Sequence, residues 1–259
     1  MRYLNEMSGA RNLKLTLEYV GTNYYGWQFI PGKPTIQGKL IEVLEKVLCH
    51  PVKLIGASRT DAGVHAFGQV ANFFTDKNIP VFRLKKALNG LLPPDIKVRE
   101  IEEVSESFHS RFSAVGKRYL YRIFNRDTPS PFEYRRSWFI PFELDLDAMK
   151  VASAYLIGVH DFSSFSKKDR KREVNPVREI NDVTFAVDGD VLEIRVLGRS
   201  FLRHMVRIIV ATLVKVGAGK LSPEDVKNIL ENRDRTSAPY LAPPDGLYLE
   251  KVYYEDYPF

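Results

Sequence analysis

Cysteine is nearly missing from this sequence, because Cys49 is the single one among 259 residues. One thiol cannot form an intramolecular disulfide, and it cannot build a zinc site that relies on several cysteines. We expect Cys49 to lie buried in an apolar helix. Long apolar runs are missing too: the longest mainly apolar stretch, 208–214, is far shorter than the ~20 residues that span a bilayer. The N-terminus also lacks the pattern of a signal peptide, so the sequence predicts a soluble, cytoplasmic protein with no membrane partner.

The charge of the chain is unbalanced towards the positive side. Lys and Arg number 38 against 32 Asp and Glu, which gives a formal net charge of +6. An excess of positive charge commonly accompanies a polyanionic partner. The fractions of hydrophobic and charged residues, 44% and 27%, are those of a folded globular protein rather than a disordered one.

The hydrophobic pattern predicts an α+β fold. Period-two alternation and β-branched content predict strands at 12–19, 52–55, 69–74, 97–103, 117–125, 183–187, 191–197 and 247–253. Helical spacing and capping residues predict helices at 36–49, 81–91, 145–156 and 201–216, and one that begins after Ser222. We therefore predict two similar lobes, each a mostly antiparallel or mixed sheet with helices on one face, and an active-site cleft between them.

The predicted boundary between the two lobes lies in the polar, irregular stretch 105–110. The N-terminal lobe is assigned to 12–105 and carries the Asp61 loop, while the C-terminal lobe is assigned to 106–259. Residues 1–11 show no hydrophobic period and are predicted to be a disordered N-terminus.

A polar turn between two predicted strands contains the first candidate for chemistry, Asp61. Arg59 lies two residues before it and Gly63 two residues after it. A carboxylate near a guanidinium on a short loop is suited to reaction chemistry, but Asp and Gly are also common in ordinary turns. From this segment alone, both interpretations stay open.

Arg207 is unusual because it lies within the apolar helix pattern FLRHMVRIIVATLV. A buried arginine without an anionic partner is costly, so Arg207 either extends to solvent or pairs with a carboxylate. Tyr119, in an alternating strand, is either a core residue or a ring that stacks on a planar substrate. The charged run 167–172 is typical of a solvated loop.

Several segments together resemble the tRNA pseudouridine synthase A family. They are RTDAGVHAFGQV near Asp61, FHSRFSAVGKRYLYRIF from Phe108, FLRHMVR up to Arg207, GLYL at 246–249 and GTNYYGWQ near the start. The resemblance extends from about residue 12 to 252 in the family's order and spacing, and RTDAGVHA is its most specific part. It implies the pseudouridine synthase fold.

The resemblance also implies an activity. Members of the family isomerise uridines 38, 39 and 40 in the anticodon stem-loop of tRNA to pseudouridine, use no cofactor and act as homodimers. It implies that Asp61 is the catalytic nucleophile, Tyr119 stacks on the target base, Arg207 pairs with Asp61 and Leu247 packs beneath the pocket. Arg59 matches the residue that flips the base out of its stack.

The remaining RNA-binding candidates follow from the resemblance or from their positive charge. The family's RNA-contacting segment corresponds to Phe108, His109, Ser110, Arg111 and Phe112. Basic candidates for phosphate contacts are Arg83, Lys85, Arg126, Lys167, Lys168, Arg170, Lys171 and Arg172.

Two other classes of function are considered beside this enzyme. A non-catalytic RNA-binding protein on the same scaffold is the main alternative, and the presence of Asp61, Tyr119 and Arg207 argues against it. A zinc deaminase would need a Pro-Cys-x-x-Cys run, which the sequence lacks. The sequence also lacks the glycine-rich turn after a strand that a nucleotide-cofactor methyltransferase needs, and its scattered histidines predict no metal site.

Overall fold

A computed structural model of the chain describes residues 10–167, 174–255 and 258. Its strands are β1 (Arg11–Tyr19), β2 (Ile55–Gly56), β3 (His65–Thr75), β4 (Ile96–Val104), β5 (Gly116–Asn125), β6 (Trp138–Ile140), β7 (Gly158–Asp161), β8 (Val177–Asp188), β9 (Val191–Gly198) and β10 (Leu247–Tyr253). Its helices are α1 (Ile36–Leu48), α2 (Val81–Leu91), α3 (Leu146–Ala154), α4 (Met205–Gly217) and α5 (Pro223–Asn232). These elements confirm the predicted α+β class. Among the described residues, no helix is both long and apolar enough to cross a membrane.

The described residues form two compact units. The first contains residues 10–115 and Leu249–Glu255, and the second contains Gly116–Tyr248. The sequence-based boundary at 105/106 is therefore earlier than the observed division. The segment after it stays with the first unit because Ser110 is hydrogen-bonded to Ile55, and the C-terminal strand returns to that unit because β10 lies beside β3.

The sheet of the first unit has the strand order β4–β1–β3–β10, with β2 paired to β3. Strand β1 is antiparallel to both β3 and β4. Its alternating leucines, Leu13, Leu15 and Leu17, are fully buried, as the period-two pattern predicts. Helix α2 packs against β4 and α1. Of the predicted disordered N-terminus, 1–9 lie outside the described residues and Arg11 begins β1.

The sheet of the second unit has the order β5–β9–β8–β7, with antiparallel neighbours, and β6 is parallel to β5. Helices α3, α4 and α5 pack on one another. Every residue of α4 except Lys215 is buried, which makes it the central helix of this unit. Such a helix has no polar face, so each of its polar side chains needs a partner inside the protein.

Local capping signals place three helix starts where the sequence predicts them. The Thr35 hydroxyl accepts a hydrogen bond from the amide of Gly38 at the start of α1, and Asp145, rather than Asp147, accepts one from Ala148 at the start of α3. Ser222 forms a reciprocal capping box with Asp225 at the start of α5. Each acceptor satisfies an amide that the first helical turn leaves unpaired.

The prediction for Cys49 is wrong. Cys49 is exposed and lies just after α1 with a φ of 58°, where its amide donates to the carbonyl of Glu45. The chain leaves the helix here in the left-handed conformation, which turns this side chain out of the apolar stripe.

Two predicted boundaries also need correction. The strand predicted at 52–55 is reduced to Ile55–Gly56, because the Val52 amide donates to the Glu45 carboxylate and the Leu54 carbonyl accepts from Gln37. The helix predicted from 201 begins only at Met205. His204, with a φ of 66°, is left-handed and cannot continue a right-handed helix.

Candidate active site

The Asp61 loop, defined here as residues 57–64, connects β2 to β3. Asp61 is half-buried, and Arg59 and Ala62 are exposed. Thr60 and Gly63, on either side of Asp61, are buried. The loop therefore exposes Arg59, Ala62 and part of Asp61 to solvent, while its other residues pack into the protein.

Backbone hydrogen bonds fix this loop at several points. The Ala57 amide donates to the Val70 carbonyl over 2.8 Å, and the amide of Trp27 donates to the Thr60 carbonyl over 3.1 Å. The Gly63 amide donates to the Tyr24 carbonyl over 3.2 Å. A loop bonded to both a neighbouring strand and a neighbouring loop has few alternative conformations, so the position of Asp61 is well defined.

The aromatic loop 21–28 lies directly against the Asp61 loop. Gly26 has a φ of 90°, and a Cβ at this position would be 2.6 Å from the carbonyl oxygen of Thr60. Only glycine allows this approach. Trp27 is buried and its side chain fills the space beside Gly56. Trp27 therefore has a structural role, because it anchors the core beside the Asp61 loop.

The RNA-contact candidates from Phe108 to Phe112 belong to the first unit, the same unit as Asp61. Ser110 is fully buried, and its hydroxyl donates to the Ile55 carbonyl over 2.7 Å. Its backbone amide donates to the Asn72 side-chain oxygen over 2.9 Å. The hydroxyl of Tyr254 donates to the Ser110 carbonyl over 2.7 Å. These bonds fix the middle of the segment to the sheet.

On both sides of Ser110 the segment carries aromatic and basic side chains. The Phe108 ring packs on Tyr254 with centroids 4.9 Å apart, and His109 packs on Phe112 with centroids 4.3 Å apart. Phe112 is 75% exposed, and the guanidinium of the exposed Arg111 lies 5.7 Å from its ring centroid. A rigidly held segment with an exposed aromatic ring and an exposed guanidinium is suited to stacking on RNA bases and to phosphate contacts.

Tyr119 lies in β5 of the second unit, opposite Val196 of β9. It is buried, and its ring meets Phe201 edge to face with centroids 5.0 Å apart. This contact fixes the plane of the Tyr119 ring. The ring is thus part of the packing of its unit, and its stacking role on a base stays a prediction.

Arg207, in α4, is 8% exposed, so the alternative in which it extends to solvent is wrong. Its Nε donates to the Ala242 carbonyl over 2.7 Å. The guanidinium also lies near the phenol of Tyr121: burial raises the pKa of Tyr121, and the positive charge of Arg207 partly opposes that increase. Arg207 is therefore a fixed buried cation in the second unit.

The segment before β10 lies beside Arg207 in the second unit. The Tyr121 hydroxyl donates to the Pro243 carbonyl over 2.8 Å, at the start of the turn Pro244–Gly246. Leu247 follows this turn and is buried. The ring of Tyr121 lies so close to Gly246 that a Cβ there would be 2.6 Å from it. Arg207 and Leu247 are thus held through the same stretch, 242–247.

The other basic candidates are distributed over both units. Arg126 is exposed, donates to the Thr128 carbonyl over 2.6 Å and pairs with Asp190 at 3.1 Å. Arg83, Lys85 and Lys167 are exposed. Lys168, Arg170, Lys171 and Arg172 lie outside the described residues. Among the residues that the structure describes, no three His, Cys, Asp or Glu side chains are grouped as a metal site.

Three side chains that the sequence analysis did not single out support the Asp61 loop from below. Tyr19, Thr60 and Gln69 are buried and hydrogen-bonded to one another in a chain. The alternation of β1 and β3 marks Tyr19 and Gln69 as inward-facing, but it does not show that they meet. A buried glutamine in a strand of mostly apolar residues is the one sequence signal that could have indicated a polar partner.

A sequence profile described as tRNA pseudouridine synthase matches residues 16–113 and 152–255, which include Asp61 and Arg207. The chain belongs to the tRNA pseudouridine synthase family. This confirms the resemblance, and the profile extends through both units. Tyr119 lies between the two matched stretches.

Individual relatives agree with this assignment. tRNA pseudouridine synthase A of Thermoanaerobacter sp. (strain X514) is 46% identical over 244 residues, which are 94% of this chain and 100% of that protein. tRNA pseudouridine synthase A 2 of Clostridium perfringens (strain 13 / Type A) is 45% identical over the same shares. tRNA pseudouridine synthase A of Aquifex aeolicus (strain VF5) is 42% identical over 93% of this chain and 98% of that protein.

Proposed function

We propose that this protein is an isomerase that converts uridine to pseudouridine in tRNA, with Asp61 as its nucleophile. The observation that carries the proposal is the Asp61 loop: the family motif RTDAGVHA forms a loop fixed by the Trp27–Thr60 and Tyr24–Gly63 backbone bonds, with its carboxylate half-buried. A preorganised carboxylate of this kind is what covalent catalysis requires.

The reaction conserves all atoms of the nucleotide. The bond between N1 of the uracil and C1′ of the ribose breaks, the base turns, and a new bond forms between C5 and C1′. The proton on C5 must leave and N1 must gain one, so no oxidant, reductant or cofactor is needed. We assign Tyr119 to stacking on the target base and Arg207 to support of the ionised Asp61 carboxylate.

The substrate is proposed to be the anticodon arm, at uridines 38, 39 and 40. A base in a stacked stem must first be extruded, at a cost of a few kcal/mol. We propose that Arg59, which is exposed and two residues before Asp61, takes the position of the extruded base. The segment Phe108–Phe112 and the basic residues Arg126 and Lys167 are proposed to hold the RNA, Leu247 to pack beneath the base, and the enzyme to act as a cytoplasmic homodimer.

One experiment tests the activity and the positions together. The purified protein is incubated with an unmodified tRNA transcript that carries uridines at 38, 39 and 40, and pseudouridine is mapped at single-nucleotide resolution by carbodiimide labelling and reverse transcription. Modification at these positions is the expected result. Binding of the transcript with no pseudouridine at any position would instead favour the non-catalytic RNA-binding protein.

The assembly state needs its own measurement. Light scattering after size exclusion should give twice the mass of one chain without tRNA, and a complex that contains two chains when tRNA is bound. One chain per particle in both samples would reject the homodimer while leaving the isomerase assignment in place.

A further inference from the structure

A chain of buried hydrogen bonds connects the interior of the first unit to the residue before Asp61. The hydroxyls of Tyr19 and Thr60 lie 2.8 Å apart, and the Gln69 amide nitrogen lies 3.4 Å from the Tyr19 hydroxyl. Their residues are 4%, 8% and 0% exposed, respectively. Polar side chains buried this deeply are costly unless they are hydrogen-bonded, and when they are bonded they restrict the surrounding structure.

The Gln69 amide also fixes the backbone of Ser58 from both directions. Its Nε2 donates to the Ser58 carbonyl over 2.9 Å, and its Oε1 accepts from the Ser58 amide over 3.3 Å and from the Val70 amide over 3.2 Å. With the bond to Tyr19, both donors and both acceptor positions of this amide are in use. The Gln69 side chain thus makes the two hydrogen bonds to the Ser58 backbone that a neighbouring strand would make in a sheet.

Thr60 is held through its side chain and through its carbonyl. Its hydroxyl meets Tyr19, and its carbonyl accepts from the Trp27 amide over 3.1 Å. That carbonyl belongs to the planar peptide unit whose nitrogen is the amide of Asp61. The orientation of this peptide plane therefore restricts the directions in which the Asp61 side chain can leave the backbone.

We propose that Tyr19, Thr60 and Gln69 are positioning residues that hold Asp61 in its reactive orientation. This inference rests on the proposed function. None of the three needs to touch the substrate, because they act on the backbone of the Asp61 loop. Reactive groups lose rate steeply when they are displaced by even ~1 Å, so a small rotation of this loop should slow the reaction without releasing the RNA.

The test measures the single-turnover rate and the RNA affinity separately for matched variants. Tyr19→Phe and Thr60→Val each remove one hydroxyl while keeping the size of the side chain, and Thr60→Ser keeps the hydroxyl. Thr75→Val is the control, because Thr75 is a buried threonine of the same unit whose hydroxyl lies 2.8 Å from Nε2 of His50, at the end of β3 that is distant from the Asp61 loop. The free energy of unfolding is measured in urea for all of them.

We expect Tyr19→Phe and Thr60→Val to slow the single-turnover rate about tenfold or more, with RNA affinity within about twofold of the native value. Thr60→Ser and Thr75→Val should keep the native rate, even where Thr75→Val lowers stability. The double variant Tyr19→Phe/Thr60→Val should be no more than about twofold slower than the slower single variant, because both remove the same hydrogen bond.

Two results would overturn the inference. One is a Tyr19→Phe rate equal to that of Thr75→Val, which would show that the Tyr19 hydroxyl contributes to stability only. The other is a double variant whose loss is the product of the two single losses. If Tyr19→Phe does not fold, the comparison of the Thr60→Val rate with the Thr60→Ser rate decides.

A native protein that forms no pseudouridine would refute the proposed function and this inference together. An active native protein with an unaffected Tyr19→Phe variant would refute the inference alone.

Discussion

The Nε of Arg207 donates a hydrogen bond to the Ala242 carbonyl over 2.7 Å, and the Ala242 amide donates back to the Arg207 carbonyl over 3.3 Å. The two residues are thus bonded in both directions, which ties the buried helix α4 to the stretch that leads into β10. A charged donor of this kind stabilises more than a neutral one. Arg207 therefore has a structural role in its unit beside the catalytic role proposed for it.

Replacement of Arg207 should separate these two roles. Arg207→Ala should lower the free energy of unfolding by about 2 kcal/mol, because a charged hydrogen bond is lost and the Ala242 carbonyl is left buried. Arg207→Lys keeps a positive charge but not the Nε donor, so it should restore more of the single-turnover rate than of the stability.

Urea unfolding and the pseudouridine assay measure the two quantities. Lys215→Ala, at the one position of α4 that is not buried, is the control and should change stability by less than about 0.5 kcal/mol. If Arg207→Ala and the native protein have the same rate, the proposed catalytic role of Arg207 is wrong.

Asp61→Asn should abolish pseudouridine formation, because the amide keeps the shape of the side chain but is not a nucleophile. Binding of tRNA should stay within about tenfold of the native value, which is roughly 1.4 kcal/mol. Asp76→Asn, an exposed position just after β3, is the matched control and should keep the native rate. Pseudouridine formation by Asp61→Asn would show that Asp61 is not the nucleophile.

The sequence predicts those parts of the fold whose causes are local. The start of α1 needs only Thr35 and the amide that it caps, and the start of α5 needs only Ser222 and Asp225. The buried side of β1 follows from a period of two. In each case the residues that decide the structure are within a few positions of one another, so a single stretch contains the whole signal.

The support of the Asp61 loop could not be predicted in this way. Tyr19 and Gln69 meet because β1 pairs with β3, and the pairing places Leu17 opposite Gln69 and, after an irregularity, Tyr19 opposite Ala66. A change of register by one residue would turn these side chains to the other face of the sheet. The bond from Arg207 to the Ala242 carbonyl could not be predicted for a similar reason, because the acceptor is a backbone carbonyl and no side-chain pattern marks it.

Gly26→Ala should displace the backbone of the Asp61 loop without replacing the side chain of any proposed catalytic residue. The added Cβ would lie 2.6 Å from the Thr60 carbonyl oxygen, at a φ of 90°, so it introduces both a backbone penalty and a collision. Gly32→Ala is the control, because Gly32 also has a positive φ, of 73°, but has nothing within 4 Å of the added atom.

The two glycine variants share the backbone penalty of about 1–2 kcal/mol, so their difference reports the collision. Gly26→Ala should be the less stable in urea and should also lose single-turnover rate, whereas Gly32→Ala should keep it. Equal stability and equal rates would mean that the Asp61 loop moves freely away from the aromatic loop 21–28.

The exposed pair Arg111 and Phe112 should contribute to RNA binding in two distinguishable ways. The segment is fixed to the sheet by buried Ser110, so replacement of its exposed side chains should leave the fold unchanged. Arg111→Ala should weaken tRNA binding and reduce the slope of log affinity against log salt by about one, because one phosphate contact releases its counterion.

Phe112→Ala should weaken tRNA binding by ~1–3 kcal/mol with the slope unchanged, since stacking involves no counterion. Lys39→Ala, where Lys39 pairs with Glu42 on α1, is the control. Equal salt slopes for the native protein and Arg111→Ala would show that this guanidinium does not contact a phosphate, and native affinity in Phe112→Ala would show that its ring does not stack on the RNA.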